Sequence, residues 1–201
     1  HHTDKEITIP LGWTIHIGID FGLTPAAIFG VRTPSDQILV FDELVATDMD
    51  AKTFGRLLKQ KIVSEYPNHN FVICGDPAGD QRAQSDSSTP FMMLASSGIS
   101  AFPAWTNDPV IRIGAVAQPM KRLDSVGEAG FLIGPKAPII RKACAGGYKY
   151  KRLQVTGEER FTDVPDKNRY SHPADALQYL MLSLGEGTTL ISSADSYKQI
   201  D

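Results

Sequence analysis

A chain of 201 residues, 42% of them hydrophobic, can bury one sizeable core and reads as a single compact domain rather than a disordered segment or two domains. No run approaches the roughly 20 apolar residues of a membrane span, and the start HHTDKEITIP lacks the apolar core of a signal peptide, so an intracellular protein is expected. The net charge of −3 is unevenly spread: residues 36–50 hold five acids, while residues 136–157 carry Lys136, Arg141, Lys142, Lys149, Lys151 and Arg152.

His1 and His2 resemble the remnant of an affinity tag on an excised domain and are left out of the chemistry. TIHIGID (14–20), AAIFGVR (26–32) and QILVFDELVA (37–46) are apolar and β-branched runs separated by turn residues, which predicts three strands paired antiparallel. Phe54, Leu57, Leu58, Ile62 and Tyr66 recur at helical spacing behind Asp50, a candidate cap, predicting a helix over 50–66. NFVICGDP (70–77) reads as a strand buried on both faces in mid-sheet. Weaker patterns place a helix at 90–97, a short strand at 99–103 and a helix at 109–126. An edge strand at 130–135 and a short helix at 138–145 follow, then a hairpin turning near Thr156 and Gly157. A closing helix runs from Ser171 or His172 to about Leu184, and the tail after Gly187 is expected to be loose. Cys74 and Cys144 are too few and too far apart for a disulfide framework or zinc cluster, and packing is their expected role. The order of elements predicts an α/β domain with a mixed central sheet flanked by helices.

Three acids stand at element ends: Asp20 closes the first strand, Asp76 closes the strand after the first helix, and Asp175 lies in the first turn of the last helix. Neighbouring carboxylates resist ionisation unless a cation sits between them, and Mg²⁺ favours oxygen ligands of this kind. Three acids could hold two such ions, which together orient a water and stabilise the leaving oxygen in phosphodiester hydrolysis. Each acid also has a plainer reading, as a turn residue at Asp20 and Asp76 and as a helix-dipole partner at Asp175. Asp175 weighs toward the metal, being the one residue charged at neutral pH in PADALQYLMLSL, a nearly all-apolar helix that must be buried.

These residues, in GIDFG, VICGDPAGDQR and DKNRYSHPADALQYL, resemble the C-terminal nuclease domain of the large terminase subunit of tailed bacteriophages, from about Trp13 to Leu184. The resemblance implies a ribonuclease H-like fold with a β-hairpin near the active site, and a site holding two Mg²⁺ or Mn²⁺ ions on Asp20, Asp76 and Asp175. It implies endonucleolytic cutting of concatemeric double-stranded viral DNA during genome packaging in the cytoplasm of the infected bacterial host. The portal, the small terminase subunit and an N-terminal packaging ATPase are the implied partners of the full-length protein. The ATPase is expected to be absent from this chain, which has no G-x-x-x-x-G-K-[ST] loop.

Asp80 is a further candidate ligand, or else a solvated loop acid. His172 could orient a ligand or water, or cap the helix or lie on the surface, and Lys167 and Arg169 flank the same turn. Glu43 is expected to be an exposed strand residue. Arg141, Lys142, Lys149, Lys151, Arg152 and Arg169 are candidate phosphate contacts, with Lys149 and Lys151 on one strand face and the tyrosines of YKYKR on the other; Lys121 and Arg122 are weaker ones. No base-reading motif accompanies them, so little sequence readout is expected. Three other readings stay open. GIDFGLT also resembles the first phosphate loop of actin and Hsp70-like ATPases, but no second glycine-rich loop follows. A Holliday-junction-type resolvase would carry similar acids, and a catalytically inactive DNA- or portal-docking module would keep the same fold.

Overall fold

The computed structural model describes residues 1–22, 24–80, 88–153 and 160–190, with side chains left out at 79–80, 151–153, 160–161 and 163–164. Strands β1 (Thr14–Asp20), β2 (Ala26–Arg32) and β3 (Ile38–Val45) pair antiparallel, as their spacing predicts. Helix α1 (Ala51–Glu65) follows, its first turn capped by Asp50, which accepts from the Thr53 N–H at 2.9 Å. Strand β4 (Asn70–Gly75) then returns parallel to β1. Next come a 3-10 turn (Pro77–Asp80), α2 (Pro90–Ser96), the two-residue β5 (Phe102–Pro103), α3 (Pro109–Lys121) and β6 (Phe131–Lys136). Helix α4 (Pro138–Lys142) runs into a π-type turn, and the hairpin β7 (Tyr150–Leu153) and β8 (Arg160–Pro165) leads to α5 (Ser171–Ser183). The six-stranded sheet has the order β5-β4-β1-β2-β3-β6, and β7-β8 forms a separate antiparallel pair.

Alternation along β1 decides which helix each side chain meets. Ile15, Ile17 and Ile19 enter the core beneath α1 and α2, with Phe54, Leu58, Ile62 and Leu94. His16, Gly18 and Asp20 take the opposite face, toward α5, whose Ala176, Leu177, Leu180 and Met181 share the second core with Ile28, Val40, Phe131 and Ile140. Gly18 is glycine because α5 lies directly on it: a Cβ there would stand 2.1 Å from the Ala176 carbonyl oxygen. At Gly30 the nearest atom to such a Cβ is a Leu180 methyl at 2.9 Å. The helix is thus buried on nearly every face, and among the described residues no helix is long and apolar enough to cross a membrane.

Several expectations change. β4 is one strand in from the edge, and because β5 covers only Cys74 and Gly75, just its C-terminal half is buried. α3 stops at Lys121, since Arg122 turns to extended backbone (φ −107°, ψ 160°) and pairs with Glu186. Leu57 lies outward on α1, and Cys144 is exposed whereas Cys74 is core. Residues 188–190 are not loose: they form a helical turn, and the Leu190 side chain packs against Gly114 of α3. His1 and Thr3 hydrogen-bond the outer edge of β6. The hairpin turn predicted near Thr156 and Gly157 lies outside the described residues, as does the tail from 191.

Candidate active site

The parallel register of β1 and β4 pairs Ile19 with Gly75, so Asp20 and Asp76 follow at the same sheet end. Asp76 is three residues on from Ile73, which faces α1, so alternation turns it to the α5 side with Asp20. The seating of α5 on Gly18 brings the helix's first turn, with Asp175, over that end.

Each carboxylate is turned to a protein partner. Asp20, only 5% exposed, has Oδ2 2.5 Å from Nδ1 of His172. A carboxylate accepts, so Nδ1 carries the proton there. The imidazole reaches this position because residue 22 is glycine: a Cβ would lie 2.2 Å from the His172 ring. Asp76 accepts from the Ala78 N–H at 2.9 Å. Asp175 faces Arg112 of α3, with Oδ1 3.4 Å from Nη1. Arg112 also donates to the Tyr179 hydroxyl oxygen at 3.0 Å, and the Tyr179 O–H donates in turn to Asn107 at 3.0 Å.

The electrostatics are those of a centre short of positive charge. Burial pushes Asp175 up to about 6, against the pull of Arg112, and the charges on Asp20 and Asp76 add to the rise. Burial likewise raises Asp20, partly offset by His172, and the Asp20 hydrogen bond raises His172. The donor set fits a hard divalent cation in kind, since its ligand atoms are carboxylate oxygens whose charged forms are only partly compensated. As the side chains stand, no three acidic, histidine or cysteine groups among the described residues close around one point. The three acids share a sheet end and feel one another.

Other candidates separate. Lys167 is exposed and close enough to lower His172 electrostatically. Arg169 is exposed, its guanidinium 5.0 Å over the Tyr170 ring, and Lys142 and Lys149 are exposed. Arg141 is half-buried and pairs with Asp4 at 2.8 Å, and Lys136 pairs with Glu6 at 2.6 Å, so acids distant in sequence neutralise part of the basic run. Arg122 is tied to Glu186 and Asp36. Tyr148 turns inward, its hydroxyl accepting from Gln178 Nε2 at 3.2 Å, while Tyr150 points outward, so the tyrosines do not share a face. Glu43 is not an exposed strand residue: its carboxylate accepts from the N–H groups of Ile139 and Ile140 at 2.7 and 3.0 Å, holding the start of α4. The side chains of Asp80, Lys151 and Arg152 lie outside the described residues. Arg112 and Tyr179 are the residues that sequence reading missed. Arg112 is the one ionisable group in PVIRIGAVAQPM, the same mark that singled out Asp175.

The mixed sheet with its strand-end acids and buried closing helix is a ribonuclease H-like fold. No protein-family model and no curated protein matches the chain. Among solved structures it is similar to the large terminase nuclease domain of bacteriophage SPP1 with bound Mn, at 16% identity and TM-score 0.58 over 90% of this chain and 93% of that one. It is similar to the P22 large terminase nuclease domain at 14% identity and TM-score 0.61, covering 89% and 84%. It also matches the large terminase of the thermophilic bacteriophage D6E at 16% identity and TM-score 0.61, where it covers 92% of its own length but 43% of that chain. At these identities the likeness establishes the fold, that of a large terminase nuclease domain.

Proposed function

We propose that this chain is a metal-dependent endonuclease that cuts concatemeric double-stranded viral DNA during genome packaging in the infected bacterium. The single observation that carries the reading is the gathering of Asp20, Asp76 and Asp175 at one end of a ribonuclease H-like sheet, with burial and mutual repulsion raising the first and last. The bound Mn of the SPP1 domain supports a divalent cofactor here. Asp20, Asp76 and Asp175 would hold two Mg²⁺ or Mn²⁺ ions, with Asp80 a further candidate ligand. The chemistry such ions supply is activation of a water and stabilisation of the leaving oxygen.

The protein's own part is placement. His172 orients Asp20 through Nδ1 and returns a proton-bearing ring to the rim of the site. Lys142, Lys149, Lys151, Arg152 and Arg169, together with Lys167, are assigned to phosphate contacts, and Arg141, which pairs with Asp4, is a further one. Binding through such contacts falls steeply with salt and reads little sequence. The D6E chain, less than half of which is covered here, was solved with ATP-gamma-S, in keeping with an ATPase working beside this domain in a longer protein. The portal and a small terminase subunit complete the proposed partners.

Incubation with supercoiled plasmid and Mn²⁺ or Mg²⁺ tests the assignment. The expected result is nicked and linear product, lost with chelator and in Asp20→Asn; intact plasmid under every condition would overturn it in favour of a docking module.

A further inference from the structure

We propose that Arg112 is a resident counter-cation of the carboxylate centre that competes with a divalent ion for the charge of Asp175, so that this arginine lowers the metal affinity of the site. The inference rests on the nuclease reading above. Arg112 projects from an otherwise apolar helix face and is only 11% exposed, a placement that an arginine takes at a cost unless partners await it. Its partners are unequal. The guanidinium lies 5.0 Å over the Tyr179 ring and donates to the Tyr179 hydroxyl at 3.0 Å, whereas its contact with Asp175 is single and long, at 3.4 Å. Tyr179, held by Asn107, is therefore the anchor, and Asp175 is the weaker hold.

A second cation on that carboxylate competes with Arg112 for the same negative charge. An ion bound to Asp175 at about 2.1 Å would sit within a few ångströms of the guanidinium, where like charges in a partly buried site repel strongly. The repulsion is relieved if Asp175 turns toward the ion, and the stacking on Tyr179 gives the arginine a place to remain. Glu186 shows what a permanent pair looks like in the same fold: Arg122 grips it with two bonds, at 2.8 and 2.9 Å. Arg112 is accordingly a positioning residue that guards the metal-free centre against its own repulsion.

Calorimetric titration of Mn²⁺ at pH 8 into wild type, Arg112→Met, Arg112→Lys and Asp175→Asn decides it. Arg112→Met should bind Mn²⁺ about tenfold tighter or more, Arg112→Lys close to wild type, and Asp175→Asn should lose tight binding. Unchanged or weaker binding by Arg112→Met, with Asp175→Asn still defective, would overturn the proposal and leave the nuclease reading standing. Absence of binding in both wild type and Arg112→Met would remove both. Should Arg112→Met fail to fold, arginine Nε–H resonances of the wild-type protein provide the second measurement: the Arg112 signal should shift saturably with Mg²⁺, and an unmoved signal overturns the proposal.

Discussion

Helix α5 carries a carboxylate near each end, and the fold treats the two in opposite ways. Past its C-terminal end, Glu186, 5% exposed, is gripped by Arg32 and Arg122, while Asp36 balances the same two arginines, so two positive and two negative groups cancel. At the N-terminal end, Asp175 shares its neighbourhood with Asp20 and Asp76 against one arginine and one histidine, and burial leaves its carboxyl at about 6. The first arrangement is complete and holds the end of the helix to β2 and α3. The second is left short of charge, which costs stability and is therefore expected only where a ligand makes good the deficit.

Removing the satisfied carboxylate should do the most damage. Glu186→Gln leaves two arginines with reduced compensation and should lower unfolding free energy by about 3 kcal/mol in a denaturant titration, with the cutting rate per folded molecule unchanged; a neutral result would break the contrast. At the other end, His172→Ala should lower plasmid cutting roughly 10- to 100-fold by freeing the orientation of Asp20, with only a minor change in melting temperature. A large loss of stability instead would make His172 structural.

Asp175→Asn sharpens the contrast through pH. Because the folded protein holds the Asp175 proton more tightly than the unfolded chain does, its contribution to stability is fully present below about pH 4 and is lost as pH rises through about 6. Asp20 and His172, also raised, act in the same direction. Without metal, Asp175→Asn should therefore match wild type near pH 4 and exceed it by about 2 kcal/mol at pH 8. Thermal melts at the two pH values check this, and a variant less stable at pH 8 would show that the pairing with Arg112 outweighs the burial of the charge. The smallest effect is expected at Glu43, a carboxylate satisfied by backbone donors. Glu43→Gln should cost about 1 kcal/mol through the start of α4, without changing metal binding.

Much of this architecture is local and was legible in residue order. Alternating apolar runs and turn residues mark β1 to β3, helical spacing behind Asp50 marks α1, and the unbroken apolar face of PADALQYLMLSL marks a buried closing helix, because strand and helix periodicity depend on neighbours only a few residues away. The same reading found acids at the ends of β1, β4 and α5, since a carboxylate ending an apolar run stands out by itself. What it missed are pairs: Arg112 with Asp175, 63 residues apart; His172 with Asp20, 152 apart; Arg141 with Asp4, 137 apart; Glu43 with Ile139, 96 apart. Whether a charge is free to bind DNA, caps a helix or waits for a metal is set by what the packed sheet and helices bring against it. Sequence thus determined which residues could do chemistry, and tertiary structure alone decided which charges are already spent, because Coulomb and hydrogen-bond energies depend on distance in space and not along the chain.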